Sequence, residues 1–168
     1  MRKQLALSLV IISLLCSSPA QARPTRQSTT SGNTTTSSFA GKGGRFKSGS
    51  SVTRTGLGAK GSGSASYVGR HGGQASGQGS FQGNPYSGSG QASGSYSGPR
   101  GRRGSGQTSA SYKNGTINDK SSWSRTNPSG QTKSGSASAT YNKTSGGSAT
   151  INEANGQTKT VTLPPAGQ

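Results

Sequence analysis

Apolar positions cluster at the start of this chain and then thin out. Leu5 to Cys16 is a run without charge, preceded by Arg2 and Lys3, broken by Ser17, Ser18 and Pro19, and followed by Ala20-Gln21-Ala22. Beyond it the large aliphatic residues are Val52, Leu57, Val68, Ile117, Ile151, Val161 and Leu163. The aromatic ones are Phe39, Phe46, Tyr67, Phe81, Tyr86, Tyr96, Tyr112, Trp123 and Tyr141. Where apolar and polar residues alternate, the period is two. Ala149 to Glu153 and Thr158 to Leu163 flank Asn155-Gly156 and predict a β-hairpin. Ala149, Ile151 and Glu153 share one face of the first strand; Lys159, Val161 and Leu163 share one face of its partner. Tyr112 to Ile117 carries the same Asn-Gly signal at 114–115, and Ser136 to Asn142 offers a third strand through a turn at 143–147. Pro164-Pro165 ends the pattern.

Upstream, residues 39–105 place glycine every two or three positions, which opposes helix and strand and predicts a flexible coil. Gly-Gln motifs recur at 73–74, 90–91, 106–107, 130–131 and 156–157, about 16 residues apart at first and about 25 later. That spacing is too irregular for a solenoid. Ordering a residue costs roughly 1–2 kcal/mol, and burying a large apolar side chain returns roughly 1.5–3 kcal/mol. So few large side chains cannot close a core. The expected fold class is mostly intrinsically disordered and low in complexity, with short β-hairpins in the C-terminal part and a signal-peptide helix at the N-terminus. The organisation read from composition is a signal peptide (1–22), a Ser/Thr-rich linker (23–38), a Gly/Ser-rich basic region (39–105), a Thr/Asn-rich repeat region (106–163) and a tail (164–168).

The basic start, short apolar run and small-x-small site have the plan of a secretory signal cleaved between Ala22 and Arg23. The run is shorter than the roughly 20 residues that span a bilayer. A secreted protein is expected, whether extracellular, surface-held or periplasmic. The single cysteine, Cys16, lies within that signal, so disulfides do not compensate for the missing core. Leu15 before it is larger than a lipidation signal favours.

Charge changes the picture most. The chain has 19 Lys and Arg against 2 acids, for a net charge of +17, and the acids are Asp119 and Glu153. Such a chain is drawn to polyanions within a Debye length. Two clusters stand out, Lys42, Arg45 and Lys47, and Arg100, Arg102 and Arg103. These six are the candidate polyanion-binding residues.

The same composition opposes catalysis. One histidine, His71, and the two acids provide no metal-ligand spacing, and a Ser-His-Asp arrangement would need His71 and Asp119 held rigidly. No catalytic residue, metal, cofactor or small-molecule substrate is assigned. Gly56 to Gly61 formally matches G-x-G-x-x-G but lacks the flanking strand and helix of a nucleotide site. Arg100 to Gly104 also has the form of an Arg-Gly nucleic-acid segment.

Asn127-Pro128-Ser129-Gly130-Gln131-Thr132 and Asn155-Gly156-Gln157-Thr158 resemble the Pro-x-Gly-x-Thr repeats of uncharacterised secreted bacterial proteins. The resemblance covers roughly residues 105–162 and implies an envelope or extracellular location without a known activity. The functional expectation is a cationic protein that contacts anionic polysaccharide, lipopolysaccharide or lipid head groups, or extracellular DNA, by many weak contacts. The alternatives are a matrix or fibre component self-associating through C-terminal strands, and a Gly-rich cationic antimicrobial chain.

Overall fold

The computed structural model describes residues 25–41, 45–69 and 71–166. Ala22, Arg23 and the rest of the expected signal peptide lie outside these residues, as does Lys42. The elements are β1 (Thr25–Ser31), β2 (Thr34–Ala40), β3 (Phe46–Thr55), β4 (Gly58–Val68), β5 (Gln74–Gly83), β6 (Ser87–Ser97), β7 (Arg103–Lys113), β8 (Thr116–Thr126), β9 (Thr132–Asn142), β10 (Gly146–Asn152) and β11 (Thr158–Leu163). A 3-10 turn, Pro99–Gly101, joins β6 to β7. All eleven strands form one antiparallel meander in which each strand pairs with its neighbours in sequence.

This overturns the expectation of a mostly disordered, low-complexity chain. The Gly/Ser-rich region is strand β3 to strand β6, and the hairpin read at 149–163 is the last turn of the same sheet. Having too few large side chains to close a core does not, here, leave the chain disordered. No hydrophobic side chain is buried among the described residues, so the sheet is a single layer without a core. Its order comes from backbone ladders on both sides of every inner strand, each bond contributing about 1 kcal/mol net, and from cross-strand side-chain pairs.

Register divides the residues cleanly between two faces. Residues opposite one another share a face. One such row runs Lys47, Ser66, Ser76, Ser95, Ser105, Ser124 and Ser134. Another runs Gly49, Ser64, Gln78, Ser93, Gln107, Ser122 and Ser136. These rows, and those of Ser51 and Thr53, form a polar face. Hydroxyls bridge adjacent strands there, as Ser105 to Ser124 at 3.0 Å and Thr34 to Thr53 at 2.9 Å. Thr140 donates to the Asn118 side-chain oxygen at 2.9 Å.

The intervening rows form the opposite, glycine face. Its middle is a floor of small residues: Ala65, Gly77, Gly94 and Gly106 in one row, Gly63, Gly79, Ala92 and Ala137 in the next. Larger residues stand toward the strand ends, with Phe46, Tyr67 and Tyr96 in one row and Tyr112, Ile117 and Tyr141 in another. Several rings lean over a glycine of the next strand. A Cβ at Gly61 would lie 2.6 Å from the Phe81 ring, one at Gly135 would lie 2.8 Å from the Trp123 indole nitrogen, and Gly104 sits beneath Tyr96. Glycine here admits a ring where any side chain would exclude it.

The strands obey a 29-residue period that the Gly-Gln motifs conceal. Ser51, Ser80, Ser109 and Ser138 occupy the same row on β3, β5, β7 and β9, each 29 residues after the last. The unit is a hairpin, and the Gly-Gln motifs fall now on its turn, now on either strand. One rim of the sheet is closed by a repeated five-residue turn. At 69–73, 98–102, 127–131 and 153–157 the first N–H donates to the fifth carbonyl at 2.6, 2.7, 2.9 and 2.8 Å. The fourth residue is a left-handed glycine, Gly72, Gly101, Gly130 or Gly156, with φ between 76° and 84°.

That geometry yields a paired expectation. Gly130→Ala meets no atom within 4 Å but must hold φ near +82°, and it is expected to cost about 1 kcal/mol. Gly49→Ala, equally unobstructed and on an ordinary strand backbone, is expected to gain up to about 0.5 kcal/mol. Urea unfolding of the two variants checks both signs.

Candidate functional site

The turn rim gathers most of the predicted basic residues. Arg45 precedes β3, and its carbonyl accepts the Val68 N–H at 2.7 Å. Lys47 stands on the polar face of β3, exposed. Arg100 and Arg102 belong to the 98–102 turn, in which Arg100 has a left-handed backbone with φ 64°. Arg103 opens β7 opposite Ser97. Through Val68, Gln74 and Ser97, Arg103 shares the polar-face row of Arg45. Four strand spacings separate these two guanidinium-bearing positions, about 19 Å. Five of the six predicted residues therefore occupy one rim, in two groups.

The register adds bases that the sequence reading missed. Lys60 and Lys120 lie on the polar face of β4 and β8, in the rows of Thr53 and Ser51. Lys113, at the end of β7, lies on the same face. Strand parity was the signal that could have found them. Of the two acids, Asp119 lies on the glycine face between Ala110 and Ala139, and Glu153, in the last turn, lines the far end of one trough beside Asn152. The polar face is therefore cationic, with Glu153 at its β10 end the one acid among the described residues that borders it.

The polar face is also ribbed. Rows of side chains two residues apart along a strand stand about 7 Å apart, leaving troughs that cross the strands. One trough, between the rows of Lys47 and Gly49, runs from β3 to β10 past Ser66, Gln78, Ser95 and Gln107. A second follows the rows of Gly49 and Ser51 past Gln91 and Lys120, and a third the rows of Ser51 and Thr53 past Lys60, Gln82 and Asn118. Their walls are hydroxyls, amides and ammonium groups. Their floors are backbone.

Other motifs have simpler places. Gly56-Leu57 is the two-residue turn between β3 and β4. Asn127 to Gln131 is a turn whose Asn127 side-chain oxygen accepts the Gln131 N–H at 2.9 Å; in the 153–157 turn the oxygen of Asn155, the third residue, accepts the Gln157 N–H at 2.9 Å. The Pro-x-Gly-x-Thr likeness therefore rests on turn chemistry. His71 occupies the 69–73 turn, and no group of three His, Cys, Asp or Glu forms among the described residues. Comparison with family models, curated proteins and solved structures returns no match.

Proposed function

We propose that this protein is a secreted, non-catalytic binder of linear anionic polysaccharide, which lies along the troughs of the polar face. The observation that carries the reading is the pairing of hydroxyl- and amide-lined troughs with a face rich in Lys and Arg, bordered among the described residues by a single acid, Glu153, at the β10 end. A polymer crossing from β3 to β10 follows about 35 Å of trough. It meets hydrogen-bonding groups at every strand, with Lys47, Lys60 or Lys120 beside it and the Arg100 to Arg103 group at the rim. The roughly 7 Å row spacing keeps a nucleic-acid duplex from the floor, while a single sugar chain can rest on the side-chain rows and hydrogen-bond to them. Contacts of this kind are individually weak and add through multivalency.

Titration with a linear polyuronate, its uncharged counterpart and duplex DNA tests the reading. Tight binding of the polyuronate alone is expected at low salt. Joint replacement of Arg100, Arg102 and Arg103 by glutamine is expected to weaken it about tenfold, as exposed ion contacts of modest strength predict. The same replacement flattens the salt dependence. Equal binding of DNA and polyuronate, or a salt dependence that the triple variant leaves unmoved, would sink it.

A further inference from the structure

Among the described residues, none covers the glycine face. Tyr67, Tyr96, Ile117, Trp123, Ile151 and Val161, each at least 40% exposed, all project from it. A single-layer sheet with one apolar face is a half-built sandwich. We propose that a second copy of this chain covers it, the two glycine faces stacking about a two-fold axis that runs across the strands.

Size, charge and shape favour an identical copy. The face measures on the order of 50 Å by 30 Å, so an overlap of half of it buries about 750 Å² per copy, near the roughly 800 Å² per partner of a standard interface. The net charge of +17 would oppose self-association if it were spread evenly. It is not: the middle rows of the glycine face hold Asp119 and no base between β3 and β10.

The register selects one stacking. A two-fold axis over the Gly49 row lays each strand on its own counterpart, with the Phe46 row of one copy over the Val52 row of the other. Tyr96 then falls over Gly90 on β6, and Phe81 over Ala75 on β5. On β8, Arg125 falls over Asp119, and by symmetry this happens twice. Within its own chain Asp119 has Ala110 and Ala139 beside it and Arg125 is exposed; the stack gives each an opposite charge. Small floor residues receive the rings, so the two faces fit as ridge and groove.

Sedimentation of residues 23–168 at rising concentration, read with emission from the sole tryptophan, Trp123, tests the stack. The expected result is a discrete dimer with Trp123 emission shifting to the blue as it forms. Asp119→Arg and Arg125→Asp each place like charges together at two sites and are expected to weaken dimerisation by at least about tenfold. The combined exchange D119R/R125D is expected to restore it. Ala92→Lys, on the floor, is expected to give a folded monomer. A monomeric wild-type chain overturns the proposal. So does a dimer indifferent to Ala92→Lys and to both single reversals, which would place contact at the strand edges. Burial of Trp123 only when polysaccharide is added overturns it as well.

Discussion

Gly147→Val is expected to detach the last two strands from the sheet. Gly147 lies on β10 opposite Tyr141 of β9 and Leu163 of β11. A Cβ there would overlap the Thr140 carbonyl oxygen and stand 2.7 Å from the Tyr141 Cα. Both obstacles are backbone, so no rotamer change relieves them. Separating the strands removes the ladder bonds that hold β10 to β9, and β11 pairs with no strand but β10. We expect a loss of about 3 kcal/mol, at the upper end for overpacking. Faster amide exchange should be confined to residues 146–163, while β3 to β8 keep their protection. A chain that exchanges uniformly, or a variant as stable as the parent, would show that the β9–β10 approach is looser than described.

Excising residues 73–101 is expected to leave a folded nine-stranded sheet. That segment is one 29-residue unit, and it joins Gly72 to Arg102, the residue that follows the equivalent turn glycine, Gly101. β4 then meets β7 in the register it had with β5. Tyr67 lies opposite Gly104, Gly63 opposite Thr108 and Ser64 opposite Gln107, and both faces keep their character. Removing only residues 73–86, one strand and its turn, should split the sheet into β1–β4 and β6–β11. The end of β4 and the start of β6 lie on opposite rims, about 35 Å apart along a strand of ten residues, with nothing to bridge them. Circular dichroism and urea unfolding should show a single cooperative transition in the first case and a divided, less stable sheet in the second. Similar stability for both deletions would contradict the strand order.

The C-terminal hairpin was legible because Ala149, Ile151, Val161 and Leu163 alternate with polar residues around Asn155-Gly156, so hydropathy alone exposed the period. From β3 to β6 the alternation has the same phase but sets glycine and alanine against serine and glutamine. In Gly61-Ser62-Gly63-Ser64-Ala65-Ser66 the two faces differ by little more than a hydroxymethyl group, and hydropathy barely registers it. Glycine density was read as chain freedom, whereas Gly61, Gly104 and Gly135 are places where a neighbouring ring needs the room. The basic rim was half legible. Arg100, Arg102 and Arg103 are adjacent in sequence, but Lys60, Lys113 and Lys120 reach one face only through pairing across strands.

The described strands number eleven, and a meander of odd length begins and ends with strands that point the same way. β1 and β11 are therefore co-directional edges. Simple translation would bring β11 beside the next molecule's β1 as a parallel pair, out of keeping with the rest of the sheet. Antiparallel growth with the faces preserved requires a half-turn in the plane at each step, joining β11 to β11 and then β1 to β1. A ribbon grown that way has identical ends and no polarity, and blocking either edge alone would halt it at two molecules.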